Sequence, residues 1–148
     1  MDLIELFVVD IVFSSEASSI VLKNSANGKV SPIHVSIEMG SLLLDLFRRN
    51  SPKRPDTFTL LSNCITSLGA TMQAIIIEDA FDGIFFAKIV LNNHGTLSSL
   101  DARPSDAIAL ALVNKLPILG TTTLMKKLSW VDSIPTNRKM ADIFFLCR

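Results

Sequence analysis

Two carboxylates five residues apart bracket an arginine in the run Asp101-Ala102-Arg103-Pro104-Ser105-Asp106. Acids gathered this way can hold a hard cation such as Mg²⁺ or Mn²⁺, and a guanidinium beside them can clamp phosphate oxygens in a planar, two-pronged grip. Pro104 suits a first helical turn, where its missing N–H goes unneeded. A helix opening there offers free N–H groups and a mild positive field to an anion. Asp101, Arg103, Ser105 and Asp106 are therefore the candidate catalytic residues, and Asp101 and Asp106 the candidate metal ligands. The same residues have a structural use: Ser105 and Asp106 favour a first helical turn, and Arg103 can simply bridge the two acids.

A second concentration of charge is Arg48, Arg49, Lys53 and Arg54. It is a candidate contact for a nucleic-acid backbone, or a set of cations at a helix C-terminus and in a solvated loop. Whole-chain charge is zero, from 14 basic and 14 acidic residues, which counts against tight, non-specific binding to phosphate backbones. His34 lies inside a strand and reads as structural; His94 lies in Asn92-Asn93-His94-Gly95 and reads as a solvated loop residue. The sequence has no Gly-rich phosphate loop, zinc-type cysteine set or nucleophile elbow. Cys64 and Cys147 lack CxxC spacing and sit among apolar neighbours, which predicts buried free thiols in a reducing cytoplasm.

The elements that must position these residues follow from periodicity. Residues 2–13, 20–22 and 30–35 read as strands, with Asn27-Gly28 as a turn. Met39, Leu42, Leu43, Leu46 and Phe47 give a helix over 37–49, capped by Ser36. A second helix over 57–68 carries the stripe Phe58, Leu61, Cys64 or Ile65, and Leu68, and stops at Gly69. Strands over 71–79 and 84–91 meet at Asp82-Gly83, and 98–102 is a short strand feeding the helix that starts at Pro104. Past Pro117 the pattern weakens, with Thr121 or Thr122 capping a short helix through Leu128. The sum is one compact α+β domain with a mixed, mainly antiparallel sheet and about three main helices over residues 1–128. Residues 129–148 form a C-terminal tail with no assigned packing partner.

No apolar run approaches the roughly 18 residues a membrane helix needs, and Met1-Asp2-Leu3-Ile4-Glu5 is acidic where a secretory signal is basic. A non-membrane, cytoplasmic protein is expected. With 49% hydrophobic residues, the chain has more apolar side chain than a small monomer easily hides, which predicts a homo-oligomer, a dimer first.

The run from Asp101 to Ala111, followed by Pro117-Ile118, resembles the signature of the bifunctional nuclease family. Pro32-Ile33 resembles its Leu-Pro-Ile-Trp-Ile strand, with Ser31, His34 and Val35 replacing Leu, Trp and Ile. Arg54-Pro55, Thr57 and Leu60-Leu61 resemble its Arg-Pro-Leu-Thr-His-Asp-Leu-Leu stretch, and Asp82-Gly83-Ile84-Phe85-Phe86-Ala87 its Asp-Gly-Thr-Phe-Tyr-Ala hairpin. The resemblance covers about residues 5–128. It implies an α+β fold, self-association and, for some members, cleavage of DNA and RNA. Phe58-Thr59 stand where the family has His-Asp, and Met39 where it has a glutamate, with Glu38 one residue early. One position turns a helical side chain by about 100°, and Phe58 can neither move a proton nor bind a metal. Two functions are expected from this: phosphodiester hydrolysis of DNA or RNA, weakened or lost, or a non-catalytic oligomeric module that binds a partner through the same Asp-Arg-Asp turn.

Overall fold

The computed structural model describes residues 2–50 and 53–134. In chain order these form β1 (Leu3–Phe13), β2 (Ser18–Asn24), β3 (Val30–Val35), α1 (Ile37–Phe47), α2 (Thr57–Ser67), β4 (Ala70–Phe81), β5 (Ile84–Asn93), β6 (Thr96–Ala102), α3 (Pro104–Asn114), β7 (Ile118–Thr121) and α4 (Thr122–Lys127). The strands make one sheet in the order β3-β2-β1-β7-β4-β5-β6. All neighbours are antiparallel except β4 and β7. The α+β class and mixed sheet agree with the sequence reading.

The segment after Pro117, where periodicity fades, holds the strand that joins the two halves of the sheet. β7 pairs antiparallel with Leu3–Leu6 and parallel with Ile75–Ile77. Four residues are too few to display a period of two. β6 starts at Thr96, two residues earlier than expected, because His94 and Gly95 alone make the turn, both at positive φ (51° and 88°).

The core gathers around α3. Ala107 to Ala111 are five consecutive buried residues, which no one-sided helix could show. α3 therefore lies with β4 and β5 on one side and α1 and α2 on the other, and its alanines allow close approach. Ile75, Ile77 and Ala87 are fully buried in the sheet beside it. α1 is capped by Ser36, whose Oγ accepts from the Met39 N–H at 3.1 Å. It docks through Gly40, where a Cβ would collide with the buried Ser18 side chain.

α2 departs from the sequence reading. Asp56 caps it, accepting from the Thr59 N–H at 2.8 Å, but its buried residues are Phe58 and Ser62, while Leu60, Leu61 and Leu68 are exposed. A polar contact with α3 turns the helix: the Ser62 hydroxyl donates to Asn114 Oδ1 at 2.6 Å. Cys64 consequently faces solvent as a free thiol rather than lying buried. Cys147 and the apolar run Ile143–Leu146 lie outside the described residues. The start of the C-terminal tail packs on its own domain: Val131 bridges Val30, and the Trp130 indole N–H donates to Met125 O at 2.9 Å. Among the described residues no helix is long and apolar enough to cross a membrane.

Candidate functional site

Arg103 is the N-cap of α3, its backbone extended by the proline that follows. Its side chain turns forward onto the first helical turn. Nε donates to Asp106 Oδ2 at 2.6 Å and Nη2 to Oδ1 at 3.1 Å. The guanidinium stays largely exposed, at 75%, and the adjoining carboxylate raises its proton affinity further, so it is a permanent cation. Arg103 and Ser105 form one wall of an open cleft of about 500 Å³. The rest of the lining comes from the end of β3 and the start of α1, including His34, Glu38, Met39 and Leu42.

Asp101 belongs elsewhere. It pairs in register with Lys88, while its neighbour Ala102 pairs with the fully buried Ala87. Side chains alternate along a strand, so Asp101 shares the outer sheet face with Lys88, whose ammonium bridges Glu78 at 2.9 Å. The turn therefore assembles Arg103, Ser105 and Asp106, and sends Asp101 to the other side. Asp106 has both oxygens on Arg103, and among the described residues no three His, Cys, Asp or Glu side chains gather to hold a metal ion. The Asp101–Asp106 pair does not fit a shared Mg²⁺ or Mn²⁺.

The basic cluster sits at the far end of α1. Arg48 is that helix's C-cap, Arg49 follows at φ 57°, and Lys53 and Arg54 are exposed ahead of α2. α1 is 11 residues long, about 16 Å, with this cluster beyond its C-terminal end and the cleft residue Glu38 at its start.

His34 reaches the cleft wall without offering a nitrogen to it. Nδ1 lies 2.7 Å from the hydroxyl of Ser19, itself fully buried, and Nε2 is shielded from solvent. Burial lowers the ring's pKa, so the imidazole is neutral at neutral pH. The Ser19 contact ties β3 to β2. His94 lies in the exposed turn before β6.

A family model for the bifunctional nuclease domain matches residues 20–132. The chain belongs to the bifunctional nuclease domain family. It is 30% identical over 100 residues to an uncharacterized protein of Mycobacterium tuberculosis, a match spanning 67% of this chain and 59% of that protein. It is 33% identical over 106 residues to Bifunctional nuclease 2 of Arabidopsis thaliana, and 32% identical over 105 residues to Bifunctional nuclease 1 of the same plant. Each plant match spans 68% of this chain and 32% of the relative. The chain thus covers about three fifths of the mycobacterial relative's length and about a third of the plant ones.

Against the family pattern, the departures at α1 and α2 fall in different places. Glu38 and Met39 both line the Arg103 cleft, so the glutamate one residue early still reaches the site, across an open wall rather than a tight one. Glu38 is the cleft residue that sequence spacing undervalued; the family's first-helix glutamate was the signal for it. Phe58 is buried in the core. Its neighbours Asp56 and Thr59 border a hollow with Val113 and Lys115, at the end of α3 remote from Arg103. The vacant histidine position therefore lies away from the cleft.

Proposed function

We propose that this bifunctional nuclease domain cleaves phosphodiester bonds of DNA or RNA at the Arg103 cleft. The observation that carries the reading is that an exposed guanidinium and an exposed carboxylate, Glu38, line the same open cleft of about 500 Å³. Arg103 exchanges part of its grip on Asp106 for the non-bridging phosphate oxygens, and Ser105 adds a hydroxyl donor. Glu38 takes a proton from the attacking water as the new P–O bond forms. The ester P–O bond breaks and its oxygen takes a proton from solvent. The same reading places the protein in the cytoplasm as a homo-oligomer, a dimer first. Support for association comes from exposed Phe81, Ile84, Leu97 and Leu100 on β4, β5 and the edge strand β6.

The test is a cleavage assay on single- and double-stranded DNA and on RNA, with and without Mg²⁺ or Mn²⁺, comparing the wild type with Glu38→Gln, Arg103→Ala and Asp106→Ala. Wild-type cleavage lost in the first two variants supports the reading. Equal cleavage by all four proteins puts the activity elsewhere.

A second reading is favoured by the closure of both Asp106 oxygens on Arg103: a non-catalytic oligomeric module that uses this turn to bind. It predicts no cleavage by the wild type, together with a dimer in sedimentation analysis.

A further inference from the structure

At the other end of α1 and α3 lies a larger groove, of about 570 Å³. Its floor is apolar, from Leu6, Leu46, Leu112 and Ile118, and Phe47 on α1 adds an aromatic residue; Phe7 borders the mouth, on the strand face opposite buried Leu6. Phe7 is 47% exposed although it lies within a strand of the central sheet. β7 pairs only with Leu3–Leu6, so β1 beyond Leu6 has no neighbour on that side and the groove opens there. Two cations, Arg49 and Lys115, stand on its rim and also border the adjoining hollow of about 300 Å³ near Thr59. Among the described residues neither forms an ion pair.

The backbone under these two cations is unusual. Arg49 and Lys115 each follow a helix in left-handed conformation, at φ 57° and 54°. Glycine is the ordinary occupant of that position, because a Cβ there costs about 1 kcal/mol. A cation elsewhere in the last turn would serve the helix dipole equally well. Two long basic side chains kept at strained positions, both on the same groove, indicate a use for the side chains themselves.

We infer that this groove binds a nucleoside monophosphate group, its flat base against Phe47 and its phosphate held by Arg49 and Lys115. A volume of this size suits a ligand of that class, and base–aromatic stacking with a cation-held phosphate is the ordinary chemistry of nucleotide capture. Glu5, beside Phe7 at the mouth, disfavours a purely anionic ligand. The inference stands whether or not the Arg103 end cleaves.

The experiment is a ¹H–¹⁵N NMR titration of the full chain with adenosine 5′-monophosphate, and separately with adenosine, inorganic phosphate and octanoate. Expected are saturable shifts centred on Phe47, Arg49 and Lys115, with adenosine and phosphate each binding at least tenfold more weakly. Arg49→Gly and Lys115→Gly suit the test because glycine relieves the left-handed backbone, so the fold is kept while the side chain is removed. Each lowers affinity for the monophosphate about tenfold, and Lys126→Ala, an exposed cation on α4 outside the groove, leaves it within twofold. No shifts at millimolar monophosphate, unchanged affinity in both glycine variants, or tighter binding of octanoate would each overturn the inference. Cleavage without monophosphate binding sinks this inference alone; binding without cleavage sinks only the hydrolytic reading.

Discussion

The two ends of α3 differ in what they do with their cations. At the N-terminal end Arg103 is tied to Asp106 through both guanidinium contacts and lines an open cleft together with Glu38. At the C-terminal end Arg49 and Lys115 have no ion-pair partner among the described residues and stand over an apolar, phenylalanine-lined groove. A cation already paired by its own chain is pre-oriented and gives up one interaction for another when a phosphate arrives. An unpaired cation over apolar surface adds affinity directly. The difference suits chemistry at one end and capture at the other, about 16 Å apart along the helices.

The largest change comes from removing what both ends share. Ile108 is fully buried in the middle of α3, and Ile108→Ala is expected to cost about 2–5 kcal/mol by opening a cavity. Chemical denaturation reads this as a lowered midpoint; monophosphate binding and cleavage should weaken together. If one survives intact while the other is lost, the two ends do not depend on a common support.

Next is the fold's tolerance at the docking point of α1. Gly40→Ala drives a Cβ into Ser18 and is expected to destabilise by about 1–3 kcal/mol. Because α1 carries Glu38 at one end and Arg49 at the other, a shifted helix should impair both sites. Unchanged stability would mean that α1 moves freely on the sheet.

A smaller effect of opposite sign separates the two ends. Arg49→Gly should raise stability by about 1 kcal/mol, since it relieves a left-handed non-glycine residue. No substitution at Arg103, whose backbone is ordinary extended chain, should do so. A urea midpoint that falls in Arg49→Gly would show that the side chain supports the fold, which would remove the strain argument for the groove.

The smallest effect is the pH response of the cleft wall. Burial lowers the His34 pKa below its ordinary 6.5. The unfolded chain then binds a proton that the folded chain refuses, so stability falls as pH drops below about 6.5 and levels off once the folded ring titrates. His34→Gln should flatten that segment of the stability–pH curve. An unaltered slope would assign the acid response to other groups.

Much of the scaffold was legible in the residues. Asp82-Gly83 marked the β4–β5 hairpin, Ser36 and the Met39–Phe47 spacing marked α1, and Pro104 marked the start of α3. The joining strand β7 was not, because its four residues show no period and its burial comes from neighbours on both sides. α2 misled for a different reason. Its leucines suggested an apolar stripe, but the Ser62–Asn114 contact decides which face turns inward. At the site, the sequence exposed Arg103, Ser105 and Asp106 as a unit because they are adjacent in one turn. It placed Asp101 with them by proximity, although strand alternation sends that carboxylate to the outer face. The groove at the other end was invisible, since it is built from β1, the ends of α1 and α3, and Ile118. The left-handed backbone of Arg49 and Lys115 leaves no mark on composition or spacing.

We propose that the Arg103 cleft performs the chemistry. Single-turnover cleavage of a short oligonucleotide, DNA and RNA in turn, by the wild type and by Arg103→Ala tests it most directly. The expected result is a rate reduced about 100-fold in the variant, the usual consequence of removing one donor to transition-state charge, with its folded spectrum unchanged. Equal rates in the two proteins would contradict it.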